Sequence, residues 1–207
     1  MSNLIVTLTG PSCAGKSTLE SLLKKRGFVN VVSTTTRPPR LGEIQGKNYD
    51  FVSKEWFLSL ESNGRLIESV YFNGYFYGVT ETEIERVFRE DKPVVIVVEP
   101  SGQEQIKQFA KKKNWQVYSI FVTNPALIIA QRFLERVITD FEFAENKGTV
   151  LLAQSSRLAA MLTEERHWIA NAGKEGRYDL FMGQFDEMNS ESVGDEIIKR
   201  ARLREAA

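Results

Sequence analysis

The chain has 207 residues, 42% of them hydrophobic, which is enough for one domain with a sizeable core and insertions. Its 27 basic and 27 acidic residues cancel, so we expect neither nucleic acid nor a membrane surface as a partner, and no segment reaches the ~20 apolar residues that span a bilayer. The single cysteine, Cys13, excludes an intrachain disulfide framework and a cysteine zinc site, and it suits a reducing cytoplasm, where we expect a monomer or homodimer.

The first third of the chain begins with the apolar run Leu4–Leu8, which predicts a buried strand. A loop over Gly10–Lys16 and a helix over Ser17–Arg26 follow, because Leu19, Leu22 and Leu23 lie on one helical side. We predict a second strand at Val29–Ser33 and an ordered loop at Thr34–Lys47, which is rich in Thr, Pro and Gly.

The next segment does not alternate strands with helices and favours a small β-rich insertion over residues 33–91. The turn signal Asn73-Gly74 predicts a hairpin. The strands predicted here are Tyr49–Val52, Leu66–Val70, Tyr71–Phe72 and Tyr75–Val79, and the helices are Lys54–Ser62 and Thr82–Arg89.

The remainder returns to alternation, and its β-branched run Val94–Val98 is typical of a strand buried on both faces. The pattern predicts strands at Gln116–Val122 and Leu180–Met182, helices at Gly102–Lys112, Pro125–Ile138, Val150–Asn171 and Glu191–Arg204, and a mobile connection at Thr139–Thr149. We therefore expect an α/β fold: a parallel sheet flanked by helices, formed by residues 1–32 and 92–207, with the insertion at 33–91 and a lid near 137–156.

The stretch GPSCAGKST, residues 10–18, directly follows the first predicted strand and matches the P-loop pattern of two glycines followed by Lys16 and Ser17. Inward-turned amides and a helix N-terminus bind phosphates there, so a ligand-free glycine-rich turn is the weaker interpretation. Lys16 would reach the β- and γ-phosphates of ATP, and the Ser17 hydroxyl would bind Mg²⁺. The expected ATP-binding residues are Ser12, Cys13, Ala14, Gly15, Lys16, Ser17 and Thr18, with only the backbone of Cys13 needed.

A second anion site is indicated by Arg37 and Arg40, which flank the stiff pair Pro38-Pro39. Two guanidinium groups with little freedom make a preorganised clamp for a dianion, to which Tyr49 and Tyr77 could add hydroxyls. The alternative is two solvated arginines in a surface loop. An intact phosphate loop in the same chain favours the clamp.

Three segments, GPSCAGKST, STTTRPPRLGEIQGKNYDFVS and LIES…NGYFYGVT, resemble the guanylate kinase family in order and spacing. The resemblance covers about the first hundred residues closely and implies a P-loop fold and a nucleoside monophosphate site. In that site Glu68 would accept hydrogen bonds from guanine N1–H and its amine, and Ser33 would donate to O6. The GMP-binding residues that it implies are Ser33, Arg37, Arg40, Tyr49, Glu68, Tyr77, Val79 and Glu99, with Arg37 also catalytic.

The chain departs from the family pattern at two places. Val79 stands where a hydroxyl residue is usual, although Thr80 could substitute for it. Val97 and Glu99 stand where the family has a pair of aspartates, and Glu99 could act on Mg²⁺ through water or on the nucleoside. These changes leave room for a preference for dGMP or for a modified nucleotide.

Phosphoryl transfer also needs positive charge around the moving group. Arg132 and Arg136 are four residues apart and share a helix face, and with Arg157 they resemble the family's catalytic lid arginines. Solvated helix arginines are the alternative. Gln184 occupies the place of a loop that touches adenine, and His167 is expected to be structural.

The hypothesis that follows is an enzyme that phosphorylates GMP or dGMP with ATP and Mg²⁺, its partners being small nucleotides. A non-catalytic module that binds phosphorylated peptides through the monophosphate site is one alternative, which the intact P-loop disfavours. Another is a kinase for a different nucleotide or for a ribose-phosphate acceptor.

Overall fold

The computed structural model describes residues 3–40, 42–72, 74–144, 146–174, 176–183, 192 and 194–199. Its strands are β1 (Leu4–Thr9), β2 (Val29–Asn30), β3 (Thr34–Thr35), β4 (Asp50–Phe51), β5 (Leu66–Phe72), β6 (Tyr75–Thr80), β7 (Val94–Val97), β8 (Gln116–Val122) and β9 (Leu180–Met182). Its helices are α1 (Lys16–Lys25), α2 (Lys54–Ser62), α3 (Glu81–Phe88), α4 (Pro100–Lys113), α5 (Ala126–Glu142), α6 (Lys147–Leu162) and α7 (Glu164–Ala172).

The larger sheet has five parallel strands in the order β2-β7-β1-β8-β9. Every residue of the central strand β1 is buried, and its side chains alternate between two apolar clusters. Leu4, Val6 and Leu8 pack in the cluster beneath α1, while Ile5 packs with Val94 and Ile96 of β7 in the other. Burial on both faces explains why these strands are continuously apolar, and the predicted α/β fold is confirmed.

The smaller sheet has four strands in the order β4-β3-β6-β5, all within the predicted insertion. Strands β5 and β6 form the predicted antiparallel hairpin, and Gly74 in its turn has a φ of +87°. Strand β3 pairs with β6 and β4 where we predicted only a loop from Thr34 onward, so that part of the prediction is wrong. The exact boundaries of core, insertion and lid stay a prediction.

The predicted mobile connection over Thr139–Thr149 is also wrong, because α5 continues to Glu142 and α6 begins at Lys147. The single long helix predicted to end at Asn171 is broken at Thr163, whose ψ of −81° departs from helical geometry. Half of the helix predicted over Glu191–Arg204 lies outside the described residues, and the part that is described, residues 192 and 194–199, is helical. Among the helices that are described, none combines the length and apolar character needed to cross a bilayer.

Candidate active site

The phosphate loop connects β1 to α1, and its glycines are required by the backbone. Gly10 has a φ of +146°, and a Cβ built there would lie 1.9 Å from the carbonyl oxygen of Val122. Gly15, immediately before α1, has a φ of +101°. Only glycine fits either position without displacing the neighbouring strand or straining the turn.

Lys16 lies in the first turn of α1 and folds back over the loop. Its ammonium donates hydrogen bonds to the carbonyl oxygens of Gly10, at 2.6 Å, and Pro11, at 2.7 Å. Burial lowers the pKa of Lys16 to about 8, and the nearby Glu165 carboxylate opposes part of that shift. Lys16 is thus held at the centre of the loop, close to where a polyphosphate would bind.

A cavity of about 550 Å³ opens in front of the loop and brings most of the predicted site residues together. The loop and α1 contribute Gly10, Ser12, Cys13, Ala14, Gly15, Lys16, Ser17 and Thr18. The insertion contributes Ser33, Arg40, Tyr49, Glu68, Val70, Phe72 and Tyr77. The end of β7 contributes Val97, Val98 and Glu99, and helices α5–α7 contribute Arg132, Arg136, Arg157, Ala160, Glu165 and Trp168.

Arg37 is the predicted clamp residue that does not line this cavity. It is only 7% exposed, and its guanidinium donates to a carboxylate oxygen of Glu43 at 2.9 Å. The other oxygen of Glu43 accepts a hydrogen bond from the backbone amide of Arg40 at 2.7 Å. Glu43, which is not among the predicted site residues, therefore connects Arg37 to the backbone of Arg40 and leaves the Arg40 side chain to line the cavity.

The rings of Tyr49 and Tyr77 meet edge to face, with centroids 6.1 Å apart, and both line the cavity beside Arg40. The Arg37 guanidinium lies 5.3 Å from the Tyr49 ring centroid, within the range of a cation–π contact. Burial raises the pKa of both phenols, so their hydroxyls remain protonated donors. This wall of the cavity thus offers a cation and two hydroxyl groups to an anion.

Glu68 lies on β5 and is only 3% exposed. Its Oε2 accepts no hydrogen bond from the residues that the structure describes. Gly102, in the first turn of α4, leaves it room, because a Cβ there would lie 2.7 Å from that oxygen. Burial, with a smaller contribution from the neighbouring Glu99 carboxylate, raises the pKa of Glu68 to about 8.

The two positions that depart from the family pattern differ in location. Val79 is 0% exposed and packs in the core with Ile84 and Val87, so its side chain does not line the cavity. Val97 is 37% exposed and lines the cavity at the carboxyl end of β7, close to Glu99. The cavity therefore has an apolar surface at this position.

The three predicted lid arginines converge on the cavity from α5 and α6. Arg132 donates to the carbonyl oxygen of Cys13 at 3.4 Å, in contact with the phosphate loop. Burial, together with repulsion from the like charges of Arg136 and Arg40, lowers the pKa of Arg157 to about 10. The three arginines thus bring positive charge to one side of the cavity.

Ser17, the predicted magnesium ligand, is exposed at the same cavity, and Glu99 lines it as well. In the described part of the chain, no group of three or more His, Cys, Asp or Glu residues is arranged to hold a metal ion. Magnesium in nucleotide sites takes most of its ligands from phosphate and water. A single hydroxyl ligand therefore fits a magnesium ion that arrives with ATP. It does not fit an ion that the protein binds without a nucleotide.

Three further residues that line the cavity, Glu165, Trp168 and Phe72, were not predicted from the sequence. Glu165 accepts hydrogen bonds from the backbone amide and the hydroxyl of Ser12, both at 2.8 Å. Trp168 and Phe72 meet with ring centroids 5.7 Å apart. None belongs to a motif, so only the fold identifies them. Gln184, the predicted adenine contact, lies outside the described residues.

Comparison with known proteins identifies the family. The family model described as "Guanylate kinase" matches residues 2–162. The chain belongs to the guanylate kinase family. It is 35% identical over 166 residues to the guanylate kinase of Wolinella succinogenes, covering 79% of this chain and 71% of that one. It is 31% identical over 203 residues to that of Ruegeria, covering 97% and 85%.

A solved structure supports the same assignment for the fold. The guanylate kinase of Anaplasma phagocytophilum superposes with a TM-score of 0.65 at 28% identity, covering 98% of this chain and 86% of that one. The resemblance seen in the sequence is thus confirmed, and with it the class of nucleoside monophosphate kinases. The roles of individual residues stay predictions.

Proposed function

We propose that the protein transfers the γ-phosphoryl group of ATP to GMP or dGMP, giving ADP and the nucleoside diphosphate. The observation that carries this is the single cavity that the phosphate loop shares with Arg40, Glu68 and the arginines of α5 and α6. Two anion sites of different construction face one space, which is the arrangement that transfer between two phosphates needs.

On the donor side, the loop amides and the N-terminus of α1 hold the ATP phosphates. Lys16 exchanges its contacts with the loop carbonyl oxygens for the β- and γ-phosphates. The Ser17 hydroxyl would hold the magnesium ion that arrives with ATP, and that ion would supply positive charge to the phosphates. Gln184 would touch adenine.

On the acceptor side, Arg40, Tyr49 and Tyr77 bind the 5′-phosphate, with Arg37 fixing their geometry through Glu43 and the Tyr49 ring. Glu68 accepts from guanine N1–H and the exocyclic amine, and Ser33 donates to O6. Glu99 contacts the nucleoside. An acceptor with carbonyl oxygens facing Glu68 would be rejected, because buried acceptors would oppose each other.

Transfer itself requires alignment and charge neutralisation and no strong base. Arg132, Arg136 and Arg157 neutralise charge that spreads over the moving phosphoryl group. Closure of the lid and insertion around both substrates excludes water, which would otherwise consume ATP.

The two alternatives have less support. A phosphopeptide-binding module has no use for Lys16 and Ser17 in an intact loop, and the similar proteins are named as guanylate kinases. A different acceptor would have to explain the buried, unpaired oxygen of Glu68. We also propose a cytoplasmic monomer or homodimer that acts on free nucleotides.

The test is a panel of nucleoside and deoxynucleoside monophosphates with ATP and Mg²⁺, followed by ADP release. We expect turnover with GMP or dGMP, and its loss in Lys16→Met but not in the control Lys24→Met, which changes an exposed lysine of the same helix. Turnover of another acceptor with GMP and dGMP inert would refute the base assignment. Failure to bind ATP in calorimetric titration would favour the peptide-binding module.

A further inference from the structure

Glu165 joins two parts of the chain that are 153 residues apart, α7 and the phosphate loop. Its side chain is 3% exposed, and each carboxylate oxygen accepts one hydrogen bond from Ser12, at 2.8 Å. Hydrogen bonds to an ionised group are about twice as strong as neutral ones. Ser12 is at the start of the loop, before the residues that open α1. The carboxylate thus occupies the amide and hydroxyl of Ser12, a residue predicted to bind ATP, and leaves the amides that follow it for phosphate.

The contact also determines where α6 lies, because only Thr163 separates α7 from α6. Arg157 is on α6, eight residues before Glu165, and lines the cavity. The other side of α6 is joined to α5: Gln154 donates to Asp140, which lies 4.0 Å from Arg136. Gln154 in turn accepts from Arg157 at 3.2 Å. A chain of polar contacts therefore connects two lid arginines to each other, and the backbone at Thr163 connects α6 to the helix whose Glu165 contacts the loop.

Electrostatics explains why such a connection is needed. Arg157, Arg136 and Arg40 carry like charges around one cavity, and their repulsion adds to the effect of burial in lowering the pKa of Arg157. The two hydrogen bonds between Glu165 and Ser12 oppose the separation of α6 from the loop that this repulsion favours. Trp168, one turn after Glu165 on α7, contacts Phe72 of the insertion, so α7 touches both sides of the cavity.

We propose that Glu165 is a positioning residue that anchors α7 to Ser12 and thereby holds Arg157 in place for phosphoryl transfer. This inference rests on the proposed function. Glu165 itself touches neither substrate; it acts through the position of α6. A displacement of about 1 Å in such a group can cost up to ~100-fold in rate, so the anchor affects turnover more than binding.

The variant Glu165→Gln keeps the size of the side chain and removes its charge. We expect kcat to fall by about 10- to 100-fold, while the KM for GMP changes by less than about threefold. The control Glu104→Gln, an exposed carboxylate of α4 away from the cavity, leaves both constants unchanged. Tighter ATP binding in Glu165→Gln would overturn the proposal, because it would make the carboxylate a competitor of phosphate.

A double-mutant cycle separates positioning from a general effect on folding. In an Arg157→Ala background, Glu165→Gln should lower kcat by less than about threefold, because the group that it positions is already gone. Fully additive losses would refute action through Arg157. Thermal unfolding of each variant identifies loss of fold, and Glu165→Asp, which keeps the charge, should retain more activity than Glu165→Gln.

A readout independent of turnover keeps this inference distinct from the proposed function. Amide hydrogen exchange in α7 and in residues 10–17 should be faster in Glu165→Gln than in the unaltered protein. Unchanged exchange would overturn the anchor even if GMP is a substrate. Absence of GMP phosphorylation with faster exchange would leave the anchor standing and refute the proposed activity.

Discussion

Glu68 combines deep burial with a carboxylate oxygen that no donor in the described residues satisfies. Leaving such a group without a hydrogen-bond partner costs about 1–3 kcal/mol, and a ligand with a matching donor removes that cost. Guanine presents two adjacent donors on one edge, whereas uracil and thymine present carbonyl oxygens there. If the proposed function is right, we therefore expect this one side chain to select the base.

Replacing Glu68 with Gln tests that selection. The amide can accept one hydrogen bond but directs its NH₂ group at the second guanine donor, so we expect a loss of about 2–4 kcal/mol in transition-state binding, measured as kcat/KM for GMP. The KM for ATP should not change, since Glu68 is on the acceptor side. An unaltered kcat/KM for GMP would remove Glu68 from base recognition.

The raised pKa of Glu68 gives a pH dependence whose sign can be derived. Below about pH 8 the side chain is mostly protonated in the empty cavity, but guanine needs the carboxylate, so binding must release a proton. GMP affinity should therefore rise several-fold between pH 7.0 and 8.5, as measured by calorimetry. Glu68→Gln serves as control and should show a flat profile. Affinity that falls over this range would contradict the assignment.

Motifs located Glu68 and Arg40 correctly in the cavity, but the surroundings of Arg37 and Val79 could not be predicted from the sequence. Arg37 pairs with Glu43, a contact that depends on how the loop folds back after Pro38-Pro39. Val79 is two residues after Tyr77 on β6, a spacing at which side chains share one face of a strand. Val79 nevertheless packs in the core with residues of α3 and β7. Both outcomes depend on packing between elements and not on local pattern.

The first turn of α4 forms one side of the pocket around Glu68. Gly102→Ala would place a Cβ 2.7 Å from Oε2, so the carboxylate must move. We expect the KM for GMP to rise roughly tenfold while thermal stability stays nearly unchanged, because alanine favours helix. The matched control is Gly173→Ala at the end of α7, where a Cβ meets open space. Equal kinetic effects in both variants would exclude this role for α4.

Long apolar runs made β1, β7 and β8 predictable, because burial on both faces produces a pattern that few other structures share. The two-residue strand β3 was not predictable, since it exists only through pairing with β6 and β4. The break at Thr163 lacks Gly or Pro, the usual signals for a helix end. The sequence patterns that identified the core strands thus did not identify short elements or elements that depend on nonlocal pairing.

The molecule as a whole has a formal net charge of zero, yet its cavity gathers Lys16, Arg40, Arg132, Arg136 and Arg157. The balanced composition indicated that any basic cluster must be local. The P-loop motif indicated that part of this cluster binds the phosphates of ATP. The contact of Glu165 with Ser12 spans 153 residues and could not be anticipated. Long-range convergence of charges is the part of the site that only the fold supplies.

That convergence makes a prediction about two ligands at once. If the phosphate loop and the Arg40 side are separate anion sites in one cavity, ADP and GMP, which do not react, should bind together. Each ligand raises the unfolding temperature by mass action, so the shift with both should at least equal the sum of the two single shifts. A shift no larger than that of the tighter ligand would mean that both compete for one site, and transfer between two phosphates in this cavity would then be impossible.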